Sequence, residues 1–258
     1  MKHIGWIALG GISIGVVSGG LAMAFGADQF GTLAKDHLGD WSRWADDRAW
    51  DFDGDVCNNS RGDSTSPERH IAWDGSDNVV IALGADVIYR AGEGDDMVVR
   101  GAPEAVARVE VHNGKIGWCG RGRRDRGALE VTLPGREFRH LTVAGSGHVS
   151  MEKMTQSDIN LTIAGSGTIS AKGSVDRVSI TIAGSGDALL GDLAMKRLDV
   201  KIAGSGNTEA SPQEDADVTI MGSGDVKLLT KPAHLTTNIM GSGRVRQPDA
   251  RATKSNAT

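Results

Sequence analysis

The phrase LTIAGSG, which begins at Leu161, occurs six times with small changes between residues 141 and 243. The other copies read LTVAGSG, ITIAGSG, VKIAGSG, VTIMGSG and TNIMGSG. Their Gly-Ser-Gly triplets follow one another at intervals of 18 to 20 residues. A fixed short period of this kind predicts stacked structural units, because one unit alone is too small to bury its apolar face.

Each copy alternates apolar and polar residues, which is the period of a strand with one buried face. Aliphatic residues stand two positions before each triplet, at Val143, Ile163, Ile182, Ile202, Ile220 and Ile239. A second column stands four positions before it, at Leu141, Leu161, Ile180, Val200, Val218 and Thr237. Between the two lie Thr142, Thr162, Thr181, Lys201, Thr219 and Asn238. A further apolar column follows the triplet, at Val149, Ile169, Ala188, Val226 and Val245.

These columns predict an all-β fold, a parallel β-solenoid (β-helix) with coils of about 19 residues, in which neighbouring coils stack about 4.8 Å apart. The triplets are expected to be the turns, because glycine permits a sharp bend and a close approach of two backbones. The serine hydroxyls between the glycines are expected to hydrogen-bond to the neighbouring coil. The predicted turn residues are Gly145, Ser146, Gly147, Gly165, Ser166, Gly167, Gly184, Ser185, Gly186, Gly204, Ser205, Gly206, Gly222, Ser223, Gly224, Gly241, Ser242 and Gly243.

Residues 68–140 form a β region without triplets, and residues 141–247 form the repeat solenoid. Short β-type runs in the first region are separated by Gly, Asp, Asn and Pro. These runs are HIAW, NVVIAL, DVIYR, DMVVR, ARVEVH, KIGW and ALEVTL. The expected core residues are Trp73, Ile81, Val87, Tyr89, Val99, Val109 and Val111. A single helical turn is expected at Pro103 to Val106.

Residues 1–27 predict either a retained membrane anchor or a cleaved signal peptide. Residues 4–27 carry no charge, and a run of about 18 or more apolar residues suits a membrane span. Gly11, Gly15 and Gly19 would let two membrane helices approach closely, whereas Ala22 and Ala24 resemble a cleavage site. Either reading predicts a protein outside the cytoplasm, in the periplasm or cell envelope, with the membrane as a partner of an anchored form.

Residues 28–67 read as a juxtamembrane helix followed by a polar linker, and residues 248–258 as a disordered tail. The two cysteines, Cys57 and Cys119, suit an exported chain with one disulfide. Two unpaired buried thiols are the alternative. The spacing and partners of these cysteines do not suit zinc.

Charge and motifs exclude several functions. A net charge of −5 and a pI near 5.8 provide no basic field for nucleic acid. The sequence contains no GxSxG, HExxH or paired-acid motif, and the triplets are not followed by the helix that a phosphate-binding GxGxxG needs. We therefore expect no catalytic, cofactor-binding or metal-binding residues. His140 and His148, which flank the first triplet, read as surface residues.

The AGSG and MGSG phrases at near-20-residue spacing resemble the bacterial family of putative autotransporter adhesins with a GIN head domain. The resemblance extends over about residues 68–247, and GSGD, a form common in that family, occurs at Asp187 and Asp225. It implies a β-solenoid head in an extracytoplasmic location and no established enzyme activity. The chain has no evident outer-membrane barrel, so self-secretion through such a pore does not follow.

The expected function is that of a non-catalytic extracytoplasmic head or scaffold, not an enzyme, that binds a protein or glycan of the cell envelope. Two alternatives remain open at this point. One is an enzyme acting on polysaccharides, lyase- or hydrolase-like, on the same fold. The other is a self-assembling structural protein, a homo-oligomer joined through strand edges at the solenoid ends.

Overall fold

The computed structural model describes residues 66–73, 77–119 and 128–248. These residues form fifteen strands, one four-residue helix and their connections. The helix, α1, is Pro103–Val106 and begins with proline, whose fixed φ suits a first helical turn. The predicted helical turn is therefore confirmed, and within the described residues the fold is all-β.

The strands before the repeats are β1 (Glu68–Ala72), β2 (Asn78–Ile81), β3 (Asp86–Arg90), β4 (Asp96–Gly101), β5 (Val109–His112), β6 (Lys115–Trp118) and β7 (Leu129–Leu133). The strands of the repeats are β8 (His140–Gly145), β9 (His148–Gly165), β10 (Thr168–Gly184), β11 (Asp187–Gly204), β12 (Asn207–Gly222), β13 (Asp225–Leu228), β14 (His234–Gly241) and β15 (Arg244–Arg246). All seven β-type runs predicted before the repeats correspond to strands.

The repeats stack in parallel, and residues at equivalent positions of the repeat pair with each other. Ile182 pairs with Ile163 on one side and with Ile202 on the other, and Gly184 pairs with Gly165 and Gly204. The same register continues from β8 through β14. The predicted parallel β-solenoid is confirmed by this pairing.

The solenoid interior is filled by the predicted aliphatic columns. Val143, Ile163, Ile182, Ile202 and Ile220 are all fully buried. The columns at Leu141 and Val149 continue the same packing, and each buried aliphatic side chain contributes about 1.5–3 kcal/mol of burial free energy. Of the seven core residues predicted before the repeats, Val111 alone is only partly buried.

The stack extends beyond residue 141 into the region without triplets. β2 lies parallel between β6 and β8, and β3 lies parallel between β7 and β9. Residues 78–90 therefore form a layer directly below the first triplet-containing coil, and β6 with β7 form the layer below that. The chain reaches these layers out of stacking order, because residues 91–139 intervene between β3 and β8.

Antiparallel strands close the end of the stack formed by β6 and β7. β4 pairs antiparallel with β7, β1 pairs antiparallel with β4, and β5 pairs antiparallel with β6. The Arg69 guanidinium links β1 to β5. Its Nη2 lies 3.1 Å from Glu110 Oε1, and its Nη1 donates to the carbonyl of Val109 at 2.8 Å.

Several predictions fall outside the described residues. These are the anchor or signal segment 1–27, the helix and most of the linker within 28–67, and the tail from residue 249 onward. Cys57 also lies there, so its pairing with Cys119 stays a prediction. In the ranges that the structure does describe, no helix is long and apolar enough to cross a bilayer.

Candidate binding surface

The first glycine of each triplet has a backbone conformation that side chains rarely adopt. Its φ is +132° at Gly184 and +136° at Gly204. A Cβ at Gly204 would lie 2.2 Å from the carbonyl oxygen of Gly184 in the preceding coil. Both the dihedral angle and the close approach of two coils therefore require glycine at this position.

The third glycine is required by contact alone. A Cβ at Gly206 would lie 2.3 Å from the carbonyl oxygen of Gly186 and 2.6 Å from the side chain of Ile182. The serine between the glycines is the bend residue, and all six triplet serines are exposed. The bonds that join the coils here come from the backbone: the Ser185 N–H donates to the Gly165 carbonyl at 2.9 Å. The same bond recurs at Ser166, Ser205, Ser223 and Ser242.

The residue after each triplet points outward and forms a ladder in the later coils. Asp187 Oδ1 accepts hydrogen bonds from the backbone N–H of Asn207 at 3.2 Å and from its Nδ2 at 2.9 Å. Asn207 Oδ1 in turn accepts from the backbone N–H of Asp225 at 3.3 Å. An alternation of Asp and Asn thus satisfies donors of the next coil without placing two carboxylates in adjacent coils.

The strands that lead into the triplets present an outward surface that we call the Thr face. Its central column is Thr142, Thr162, Thr181, Lys201, Thr219 and Asn238, and the register places these residues in successive coils. Thr142 is buried, so the accessible part of the column begins at Thr162. Lys201 is the cation of this column, and its Nζ lies 3.4 Å from Asp199 Oδ1. Alanine occupies the neighbouring outward column at Ala164, Ala183 and Ala203. The coils that contain Thr162 and Thr181 therefore present small, neutral side chains in these two columns, at the strand spacing of about 4.8 Å.

A second outward surface carries ion pairs between coils. Lys196 Nζ lies 2.7 Å from Asp176 Oδ1, and Arg177 Nη1 lies 2.8 Å from Asp158 Oδ1. The hydrogen bond to Asp176 raises the pKa of Lys196. Exposed pairs of this kind contribute little to stability, so their main effect is on the solubility of this side.

Two leucines are exposed after the triplets, Leu189 on β11 and Leu229 directly after the end of β13. Leu189 is 50% exposed and Leu229 is 38% exposed. A Cβ added at Gly191 would lie 2.8 Å from Leu229 Cδ1, which places this leucine over the glycine. Glu209 is the register partner of Leu189, so this exposed leucine has a charged neighbour in the next coil.

The described residues contain no group of three or more His, Cys, Asp or Glu side chains able to hold a metal ion. His112, His140 and His148 are exposed, as are His70 and His234. Burial is the main cause of a raised pKa at two groups in the part of the fold before the repeats. Burial raises the pKa of Tyr89 to about 12, and its hydroxyl donates to the Arg136 carbonyl.

Glu110 is the second of these groups and the one acidic residue buried within the described ranges, with 5% exposure. Burial raises its pKa, while Arg69 opposes that shift. The ion pair of Arg69 and Glu110 lies at the closed end of the stack, away from the columns of the Thr face. We therefore interpret it as a contact that holds β1 and β5 together. Cys119 follows β6, and its backbone N–H donates to the Arg108 carbonyl at 2.7 Å.

The sequence interpretation missed the layer that supports the first triplet. Leu83-Gly84-Ala85 occupies the position of a triplet, because β2 pairs in register with β8 and β3 with β9. The His148 N–H donates to the Ala85 carbonyl at 2.9 Å, the bond that Thr168 makes to Gly147 one coil later. The signal in the sequence is the match of VIALGADV to TVAGSGHV, which share the alternation and two identical residues, Ala82 with Ala144 and Val87 with Val149.

Residues 125–232 match the family model described as putative auto-transporter adhesin, head GIN domain. The predicted family resemblance is confirmed. The matched GIN head segment begins before β7 and ends before β14, so it is shorter than the range of about 68–247 expected from the sequence. No curated protein matches the chain.

Three solved structures are similar to this chain. A putative adhesin from Bacteroides fragilis superposes with a TM-score of 0.55 at 15% identity, covering 70% of this chain and 96% of that one. A putative adhesin from Parabacteroides merdae gives 0.45 at 16% identity, covering 78% and 100%. A putative lipid binding protein from Parabacteroides distasonis gives 0.46 at 20% identity, covering 77% and 100%. At these identities the first likeness establishes the fold alone, and the similarity to an adhesin head domain is that of residues 125–232 to the family model.

Proposed function

We propose that this protein is a non-catalytic, extracytoplasmic head that binds a polymer of the cell envelope through the Thr face. One observation carries the proposal: the register places chemically similar small residues at the same point of successive coils. A polymer with a regular repeat can contact such a surface at several equivalent points, which raises its overall affinity. The adhesin-like family supports a location outside the cytoplasm, and the uncharged residues 4–27 supply the export or anchoring signal.

The chemistry of the Thr face favours binding over catalysis. Thr162 and Thr181 are poor acids and bases near neutral pH, because aliphatic hydroxyls do not titrate there. A polysaccharide-cleaving enzyme needs closely placed carboxylates or an activated base. The Asp187–Asn207–Asp225 ladder separates its carboxylates by a full coil and uses two of its side-chain oxygens as acceptors from the backbone of the next coil.

The test is sedimentation of the full chain with purified Gram-negative cell envelopes. Thr162→Lys with Thr181→Lys should weaken binding about tenfold or more, since an unpaired charge buried in an interface costs several kcal/mol. Ser150→Lys with Ser170→Lys is the matched control, because it adds the same charge to the adjacent outward column after the triplets.

Loss of binding in the first variant and retention in the control supports the proposal. Equal binding by all three proteins would remove the Thr face from consideration. Release of new reducing ends or unsaturated sugars from the envelopes would overturn the non-catalytic assignment.

A further inference from the structure

The two ends of the solenoid are finished differently. At one end, β4 and β5 lie antiparallel on the last parallel strands, and β1 extends the sheet further. At the other end, β14 pairs with β12 and β15 pairs with β13, and no other described strand pairs with either of them. The outer backbone edge of β14 is therefore open among the described residues.

The inward side chains of β14 are correspondingly uncovered. Ile239 is 39% exposed, whereas Ile220, its equivalent one coil earlier, is fully buried. Leu235 is half-buried and Thr237 is exposed, although both stand in columns that face the interior. One more strand laid on β14 would cover these residues in the way that β14 covers β12.

β14 also lacks the features that normally protect an edge strand. Charged side chains and proline discourage pairing at exposed edges, and residues 235–243 contain neither. The neighbouring edge, β15, carries Arg244 and Arg246 and is followed by Pro248. At the opposite end, β1 begins Glu68-Arg69-His70. Of these three edges, β14 is the one whose chemistry permits a further strand.

We propose that β14 pairs antiparallel with β14 of a second copy of this chain, about a two-fold axis through Thr237. Interior-facing side chains must stay on the interior side, because a one-residue slip would turn them outward. The register that satisfies this condition places Leu235 opposite Ile239 of the second copy and Thr237 opposite itself. On the outer side it places Thr236 opposite Asn238, so no like charges meet along the strand.

The fold already shows that an antiparallel strand can finish this parallel stack, since β4 does so on β7. The alternative occupants fit less well. Residues 249–258 read DARATKSNAT and offer no aliphatic side chain larger than alanine to cover Leu235 and Ile239. Head-to-tail growth would require β14 to pair with the charged edge of β1. An isologous contact closes after two copies, so the structure assigns a dimer and not a fibre.

The first experiment is mild oxidation of the full chain carrying Thr237→Cys. The axis brings the two introduced thiols together at directly opposed positions, where Cβ atoms lie about 4.5–5.5 Å apart, close enough for a disulfide after small shifts. We expect a covalent dimer that disappears on reduction. Ser205→Cys, which changes an exposed bend residue of a middle coil, is the control and should remain monomeric on a denaturing gel. Equal cross-linking of the two variants, or none in Thr237→Cys, would overturn the proposal.

The second experiment measures the dimer dissociation constant of the full chain by analytical ultracentrifugation in mild detergent. Thr237→Lys places two ammonium groups opposite each other and should weaken the dimer about tenfold or more. Asn238→Lys adds the same charge one residue along on the outer side, where it faces Thr236, and should weaken the dimer much less. Thr237 is exposed, so the variant should fold normally, which circular dichroism checks. A dimer that resists Thr237→Lys, as one joined through residues 1–27 would, contradicts the proposal.

Discussion

Replacing the first glycine of a middle triplet should destabilise the protein far more than replacing the same glycine of the first triplet. Gly204 and Gly145 occupy equivalent positions, with φ values of +136° and +108°. Their surroundings differ. A Cβ at Gly204 would lie 2.2 Å from the Gly184 carbonyl oxygen, whereas a Cβ at Gly145 would meet no atom within 4 Å.

The two substitutions therefore separate backbone strain from the contact between coils. A non-glycine residue at such φ costs about 1–3 kcal/mol, less about 0.4–1 kcal/mol because alanine restricts the unfolded chain. This leaves about 1–2 kcal/mol for Gly145→Ala. Gly204→Ala adds an overlap with rigid backbone, and forced repacking costs about 1–3 kcal/mol, so its total is about 2–5 kcal/mol.

Gly206→Ala completes the comparison, because its φ is not in the strained region while its Cβ would lie 2.3 Å from the Gly186 carbonyl oxygen. It carries the overlap alone and should cost about 1–3 kcal/mol. The assay is urea unfolding of the full chain followed by far-UV circular dichroism, with the change in midpoint converted through a common slope. Equal losses for Gly145→Ala and Gly204→Ala would refute the argument that close coil stacking selects these glycines.

Three further outcomes are expected. Thr208→Val should raise the free energy of unfolding by about 1 kcal/mol, because the buried Thr208 hydroxyl has no hydrogen-bond partner; a lower urea midpoint would contradict this. The pKa of Glu110 is raised in the folded protein, so Glu110 contributes most to the free energy of unfolding when its carboxyl is protonated. That contribution is lost as the pH rises from 4.5, the ordinary pKa of the group, through the raised pKa. The unfolding free energy of Glu110→Gln, measured against pH, should lack that decline, and parallel curves for the two proteins would show that burial of Glu110 has no such effect. Reduction should add two hydrogen atoms to the intact mass of the native chain if Cys57 and Cys119 are paired, and an unchanged mass would indicate free thiols.

The parallel solenoid could be predicted from the sequence because one short pattern repeats with little variation. Alternation identified the inward columns, and the constant interval fixed which residues would pair. The column of Val143, Ile163, Ile182, Ile202 and Ile220 is buried as expected, and most residues directly before and after each of these face outward. Local periodicity and the global register lead to the same answer here, which is why so little information sufficed.

The layer at residues 78–90 could not be predicted in the same way. It joins the repeats through β8 and β9, which follow it by about sixty residues. Leu83-Gly84-Ala85 has glycine in the middle, whereas the triplets have glycine at both ends. The antiparallel strands at that end leave no periodic signal either, because pairing of distant strands depends on three-dimensional contacts. The burial of Thr208 could not be predicted for a different reason. Thr208 is a polar residue in an otherwise apolar column, between Ala188 and Val226.

The sequence alone predicts the Thr face but not the open edge of β14. The Thr column follows from aligning the repeats, because it occupies the same position in each copy. The exposure of Ile239 depends on the repeat being the last one, and its sequence is almost the same as that of the buried copies. The difference arises from position in the stack, which a single copy of the pattern cannot reveal.

The discontinuous path of the chain through the stack bears on the order in which the protein acquires its structure. β10, β11 and β12 each pair with strands only 17 to 20 residues away, so they can assemble by closing short loops, which is fast. β2 and β3 emerge earlier during synthesis but gain their second neighbours only when β8 and β9 arrive. In kinetic terms, we expect the later coils to nucleate folding and the earlier strands to dock upon them. The amino-terminal strands would then be the last to become protected from hydrogen exchange, although they are the first to leave the ribosome.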